Sequence, residues 1–420
     1  MFRGFSQLFN KSNKDLRKRL YFTLACLGLF CMGTTITIPW ASKIYQDLGF
    51  LEIFNLMSGG GLQNFSIFAL GVSPYITASI IMQLLQMDII PYFKELKDQG
   101  YVGRQKINKM TRYLAIILAF VQAYALCLFY MKSLGTMEII KTALVMTAGT
   151  SFCLWLGDEI TKKGIGNGSS MIIMAGIIQS LPNIFIGAYD AFINGTYTLT
   201  LGIILFIIFI LVYLLVLVGI IYIQLAERRI PIQYANRTTS AYGAQQSYLP
   251  IKINSAGVMP VIFAQILLTI PSTIVALTGN QSAINFVNNY IVYTSTTGMI
   301  LYILLILFFG YFYTFMIMNP EEMSKNLNER GGYIPGIRPG EETSKFIGSS
   351  ISKLTIIGCL FLTIISILPV AVSKISGLPS SVTIGGTGLL IVVGVAIETY
   401  KQIESSLLAR SYKEKRKRLR

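Results

Sequence analysis

The sequence predicts an all-α polytopic membrane protein: ten transmembrane helices in two five-helix halves, with a short re-entrant half-helix between the first two. Three observations carry that prediction. Of 420 residues, 53% are hydrophobic and 13% charged, where a soluble domain has about 25% charged. The apolar residues gather in uncharged runs of close to 20 residues, the length that crosses a bilayer as a helix at about 1.5 Å per residue. The 35 Lys+Arg against 19 Asp+Glu, a formal charge of +16, lie in short clusters between those runs.

The chain opens with a basic amphipathic stretch, 1–19, that runs into the first span with no cleavable signal. The predicted spans are 20–39, 73–92, 112–132, 139–158, 169–188, 200–224, 257–278, 299–318, 354–373 and 383–401. None has an ionisable residue at its centre, where one costs about 2.5–3.5 kcal/mol. Lys141, Asp88 and Glu398 fall near helix ends, within snorkelling reach of water. The halves are 20–198 and 199–403, followed by a basic tail, 404–420. Five helices per half bring the second half in from the opposite side, which permits an inverted pseudo-repeat, although no self-similarity is visible in the residues.

Basic residues set the orientation. With the N-terminus cytoplasmic, 31 of the 35 Lys+Arg lie inside, and only Lys43, Lys132, Lys141 and Lys374 outside. Both termini are then cytoplasmic. Two cytoplasmic loops are long, about 225–256 and 319–353, and rich in Gly, Pro and charge. Long loops with turn chemistry more often carry function than merely connect.

One stretch breaks the pattern of spans. Ser58-Gly59-Gly60-Gly61 leads into an apolar piece, Phe65–Leu70, that is too short to span, and Gly71 and Pro74 interrupt the chain again. The pattern predicts a half-helix over about 58–70 that dips into the membrane and returns. Non-helical backbone at that depth needs protein or water around it, so the bundle should enclose a cavity there.

The residue counts exclude several chemistries. With no histidine, Ser-His and Cys-His catalysis and HExxH metal sites are absent. Cys26, Cys31, Cys127, Cys153 and Cys359 each sit in an apolar run and form no CxxC pair, so they read as small buried hydrophobes. No GxxxxGK[ST] loop is present to bind a nucleotide. A small-solute secondary transporter fits ten helices as well as a channel does. A proton-coupled one, however, keeps a carboxylate or histidine near the midplane, and this chain has neither.

Six stretches carry a resemblance. They are Phe65-Ser-Ile-Phe-Ala-Leu-Gly-Val-Ser-Pro-Tyr-Ile-Thr-Ala-Ser79, Gly164-Ile-Gly-Asn-Gly168, Glu227-Arg-Arg-Ile-Pro-Ile-Gln-Tyr-Ala235, Leu249-Pro-Ile-Lys-Ile-Asn-Ser-Ala-Gly-Val-Met-Pro260, Gly336-Ile-Arg-Pro-Gly340 and Gly385-Gly-Thr-Gly-Leu-Leu-Ile391. In this order and spacing, the chain resembles SecY, the channel subunit of the Sec protein translocase, over nearly its whole length.

The resemblance implies a channel for unfolded polypeptides, with a lateral gate through which transmembrane segments leave. It implies an apolar pore ring at Val72, Ile76, Ile173, Ile177, Ile262 and Ile391. Such a constriction resists ions by dewetting and still parts around varied side chains. The implied plug holds Gly59, Gly60, Gly61, Leu62, Phe65 and Ile67, weakly anchored so that it can move. The gate lies between helices 2–3 and 7–8, with Gln83 and Gln265 as its candidate polar clasp. Docking of the SecA motor ATPase and the ribosome falls to Arg228, Arg229 and Arg338, whose planar forks grip phosphates and carboxylates. For these arginines, plain positive-inside topology is the competing account.

Implied partners are SecE-like and SecG-like small membrane subunits, signal peptides and nascent chains. Anionic lipids fit the cluster Lys413–Arg420. The resemblance implies no cofactor, and ATP hydrolysis is left to a partner. Two departures stand out. Many family members have an arginine shortly before the glycine of Cys31-Met-Gly-Thr-Thr-Ile-Thr-Ile-Pro39, and the stretch Ala241–Ser247 is short of lysine. Some Gram-positive bacteria carry a second, accessory SecY, and both the housekeeping and the accessory assignment stay open.

Overall fold

The computed structural model describes residues 14–41, 43–44, 52–86, 90–131, 135–194, 198–234, 247–278, 281–292, 295–376 and 385–418. The greater part of the amphipathic 1–19 stretch, the middle of the 225–256 loop and the first residues of the tenth predicted span lie outside that set.

Fourteen helices follow in chain order among the described residues: α1 Lys14–Thr35, α2 Glu52–Met57, α3 Ser73–Leu85, α4 Pro91–Asp98, α5 Tyr101–Tyr130, α6 Thr136–Lys163, α7 Gly168–Ile193, α8 Leu199–Leu225, α9 Met259–Thr278, α10 Gln281–Tyr290, α11 Thr296–Ile317, α12 Pro320–Glu329, α13 Glu341–Ser376 and α14 Gly385–Arg418. All ten predicted spans fall on helices: α1, α3, α5–α9, α11, α13 and α14. Of these, α5, α6, α7, α8, α11 and α13 are long and apolar enough to cross a membrane. α8 buries only Gly202, Val216 and Ile220, as a helix surrounded by lipid would.

The second span is shorter than 73–92. α3 stops at Leu85, and Pro91 begins the separate amphipathic α4. Proline suits the first turn of a helix, where its missing N–H would have no intrahelical partner, so Pro91 marks the start of α4. The 13 residues of α3 cover only about 20 Å at 1.5 Å each, short of a hydrocarbon core of about 30 Å. Residues 52–72 precede it as a non-spanning segment.

The chain divides into two compact units. The first holds α1–α7, the stretch Thr269–Asn288 and α14; the second holds α8, α9 to Leu268, the strands and α11–α13.

In the first unit the Gly164–Gly168 loop is a junction of distant elements. The Ile165 N–H donates to Thr23 Oγ1 on α1 (3.0 Å), and the Gly166 N–H to Gln402 Oε1 on α14 (2.7 Å). Leu16, Leu20, Ile403 and Leu407 pack with Ile165 around it. Gly166 holds φ +86°, a conformation that favours glycine.

The second unit adds strands to an otherwise helical chain. β1 (Glu227–Tyr234) pairs antiparallel with β2 (Ser247–Lys252) on one side and β3 (Gly332–Tyr333) on the other. Ile230 lies opposite Leu249, and Gln233 opposite Tyr333. Ile230, Ile232 and Ile251 turn inward onto Leu327, Ile334, Ile347, Ile351 and Leu354. The signal is the period-two alternation of Arg-Ile-Pro-Ile-Gln, which a reading for loop charge passes over.

Candidate functional site

The re-entrant segment differs from its prediction. Its helix, α2, precedes the glycines, and residues 58–72 form a run of turns instead of a half-helix over 58–70. The reason is conformational: Gly59, Gly60, Phe65 and Gly71 hold φ of +68°, +80°, +44° and +52°, and a right-handed helix has no place for such residues. Gly60 closes α2 by donating its N–H to the Asn55 carbonyl (2.8 Å). Asn55 Oδ1 accepts from the Gln63 N–H (3.0 Å), and Ser58 Oγ from the Leu62 N–H (3.2 Å). Gly61 is packed too tightly for a side chain, since a Cβ would stand 2.6 Å from Ser66 Oγ.

The segment is also firmly held, contrary to the weak anchoring expected. The strand-like stretch after α1 pairs with it. The Ile38 N–H donates to the Phe65 carbonyl (3.0 Å), the Ile67 N–H to Ile36 (3.0 Å) and the Ile44 N–H to Gln63 (2.9 Å). Leu62, Phe65 and Leu70 pack with Ala119 and Ala123 of α5 and Ala143 and Met146 of α6. The Phe68 ring stacks between Phe30 of α1 (6.0 Å) and Phe152 of α6 (5.7 Å). Ser180 Oγ of α7 donates to the Leu56 carbonyl (3.4 Å). Below Gly59, Gln179 Nε2 of α7 donates to Thr34 Oγ1 of α1 (3.0 Å). Sequence reasoning missed Thr34, Asn55 and Gln179, and named Ser58 only as the start of the glycine run. Polar residues inside apolar runs were the available signal.

Five of the six ring residues lie in the first unit, and all six are buried. Ile173 and Ile177 stand one turn apart on α7 and flank Gly176, against which the end of α2 packs. Gly388 of α14, three residues before Ile391, faces Ile177: a Cβ there would lie 3.1 Å from Ile177 Cγ2. Ile76 is on α3, and Val72 is the N-cap residue of that helix. Val72 also lines a cleft of about 210 Å³ with Tyr75, Asn108 and Asn167, beside the Arg112–Asp158 ion pair (2.6 Å). Ile262 lies on the part of α9 that belongs to the second unit.

Of the gate candidates, Gln83 turns its Nε2 to Ser79 Oγ (3.4 Å), while its Oε1 is buried without a hydrogen-bond partner among the described residues. Gln265 meets the hydroxyl of Tyr302, which Ser366 also faces.

The three arginines are exposed in the second unit. Arg229 bonds Glu227 through Nε (2.9 Å) and lies 4.7 Å from the Tyr248 ring centre. The Glu227 hydrogen bond pushes its already high pKa higher. Arg338 sits in a turn between Gly336 (φ +81°) and Gly340 (φ +103°). Thr343 Oγ1 donates to the Arg338 carbonyl (2.8 Å), and Ser324 Oγ to the Gly340 carbonyl (2.7 Å). Both carbonyls are thus pinned from neighbouring helices, and the side chain is left free to project.

Helices long and apolar enough to cross a membrane, packed around a seated, non-spanning segment, define a polytopic membrane protein. The SecY family profile matches residues 66–400. The protein translocase subunit SecY of Staphylococcus aureus (strain NCTC 8325 / PS 47) is 45% identical, over 95% of this chain and 96% of its own. The chain belongs to the SecY family. Its fold matches a solved protein-conducting channel at 22% identity and a TM-score of 0.68, covering 93% of this chain and 92% of the other. It also matches a SecY structure whose plug domain is described as stabilising the closed state and maintaining a membrane seal. That match has 22% identity, a TM-score of 0.63 and the same coverage.

Proposed function

We infer that this chain is the central protein-conducting channel of a Sec translocon. It passes unfolded preproteins across the membrane and releases transmembrane segments sideways. Family membership argues against the small-solute transporter reading. The observation that carries the inference is the 52–72 segment, held among α1, α5, α6 and α7 beside Ile173 and Ile177. In this reading it is the plug, and Gly59, Gly60, Gly61, Leu62, Phe65 and Ile67 belong to it. Val72, Ile76, Ile173, Ile177, Ile262 and Ile391 form the ring that the plug covers. The stretches 20–198 and 199–403 are the two halves around the pore, and Gln83 and Gln265 belong to the lateral gate.

The chain does no bond chemistry, so the energy comes from a partner. Arg228, Arg229 and Arg338 dock the SecA motor or the ribosome. The fixed turn under Arg338 supports that role, because a held backbone lowers the ordering cost of binding. SecE-like and SecG-like subunits complete the complex, and anionic lipids meet the Lys413–Arg420 cluster. The protein lies in the cell membrane with both termini cytoplasmic, as the basic-residue bias favours.

Reconstitution with SecE-like and SecA partners tests the reading. ATP-dependent uptake of an unfolded preprotein is expected, and uptake of small solutes without any preprotein transport would overturn it. A general substrate and a serine-rich glycoprotein, run side by side, separate the housekeeping from the accessory assignment.

A further inference from the structure

Three glycines face the 52–72 segment from three helices: Gly33 on α1, Gly149 on α6 and Gly176 on α7. A Cβ on Gly33 would overlap the Phe68 ring, one on Gly149 the Ile67 carbonyl, and one on Gly176 the Met57 carbonyl. The fit is reciprocal at α7, where a Cβ on Gly59 would stand 2.7 Å from Gln179 Oε1 and 3.5 Å from the Gly176 Cα. Close approaches at glycine also occur elsewhere, as at Gly103, Gly168, Gly298 and Gly310, but each of those meets a different neighbour, whereas Gly33, Gly149 and Gly176 converge on one segment; Gly28 on α1 and Gly219 on α8 would carry a methyl group into open space. Glycine inside a helix is unfavourable relative to alanine. Three of them set against one segment therefore mark a shape that the segment requires.

We propose that Gly33, Gly149 and Gly176 form a seat: they are positioning residues that set how firmly the 52–72 segment closes the resting channel. The proposal rests on the reading of that segment as the plug. At two of the three points the nearest approach is a backbone carbonyl, that of Met57 at Gly176 and that of Ile67 at Gly149, where Ile67 Cγ2 also comes close. The third point is an aromatic slot, where the Phe68 ring enters between Phe30 and Phe152 over Gly33. Closing is then a matter of shape, and the depth of the seat sets the closed population.

The test uses the full chain reconstituted with a SecE-like subunit in liposomes. Gly33→Ala, Gly149→Ala and Gly176→Ala are compared with the controls Gly28→Ala and Gly219→Ala at equal inserted protein. Two quantities are read: resting ion conductance, and labelling of a Ser66→Cys variant by a membrane-impermeant maleimide. Ser66 is fully buried in the seated segment. Overpacking a tight contact is expected to raise both readouts about tenfold, with the controls unchanged.

Adding Phe68→Leu should restore Gly33→Ala, whose clash is with the ring, but not Gly176→Ala, whose clash is with backbone. If Gly149→Ala or Gly176→Ala fails to insert, Gly33→Ala with and without Phe68→Leu carries the test alone. Seat variants with parental conductance and a protected Ser66→Cys overturn the seat, as does equal rescue of all of them by Phe68→Leu. Deletion of 58–68 separates the two readings: if it too leaves conductance unchanged, the plug reading itself falls.

Discussion

The segment 52–72 and the turn around Arg338 are built from the same local device and put it to opposite uses. Both rely on glycines at positive φ, and both fix their carbonyls with hydrogen bonds from neighbours. The first buries most of its apolar side chains: Leu62, Phe65 and Ala69 are at most 1% exposed, and Ser66 is fully buried. The second lifts one arginine into solvent from a sheet whose apolar face is covered. A buried turn acts by shape, because its fit depends on volume. An exposed turn acts by charge, because a rigid backbone presents the guanidinium in one place. The first should therefore respond to size and hardly to salt, and the second to charge sign and strongly to salt.

The sharpest way to break this contrast is Arg338→Glu. SecA-driven, ATP-dependent export should fall about tenfold or more, the scale set by losing a charge-assisted contact and gaining a repulsive one. Insertion of the protein itself should stay normal, and resting conductance should not change. Normal export in this variant would return Arg338 to a topology signal.

Next in size is Ile76→Asn, which should wet the pore waist, raise resting conductance severalfold and admit weak signal sequences. SecA affinity should stay as it was. Equal conductance and equal signal stringency would remove Ile76 from the ring.

A smaller effect is expected of Gly340→Ala. Forcing an L-residue to φ +103° costs about 1–2 kcal/mol, so SecA should bind more weakly while Arg338 remains present. Titration of SecA against the reconstituted variant reads this out, and unchanged binding would mean that the turn gives Arg338 no positional advantage.

The smallest effect belongs to Arg229→Lys, which keeps the charge but gives up the planar contacts with Glu227 and Tyr248. Docking should weaken slightly, and the difference should vanish as salt is raised. A loss that survives high salt would assign Arg229 a shape-specific contact.

The spans were legible because a bilayer imposes one length and one polarity on every helix that crosses it. The start of α4 was readable too, from Pro91, but a hydropathy window smooths over a single proline. The re-entrant segment was recognised from its short apolar piece. Its helix was misplaced because glycines can start a flexible entry or end a helix equally well, and Phe65 gives no sign that it will hold φ +44°. The sheet was present as the alternation of Ile230 and Ile232, hidden beneath the charges of the same loop. Gly33 was noticed only as a landmark beside a missing arginine, and Gly149 and Gly176 could not be picked out at all. Their meaning depends on which helix face meets the segment, and that is settled by packing rather than by any local pattern.

The Gly164–Gly168 loop carries a consequence for how the protein is made. Its Gly166 N–H finds Gln402, more than 200 positions later in the chain. During synthesis the loop and its neighbours α6 and α7 leave the ribosome long before that partner exists. Until α14 arrives, Ile165 has Leu16 and Leu20 of α1 beside it but not Ile403 and Leu407, and the Gly166 N–H has only water, lipid or a helper protein to meet it. The first unit to be synthesised is thus among the last to be completed, and a chain stalled before Gln402 should be a substrate for membrane quality control.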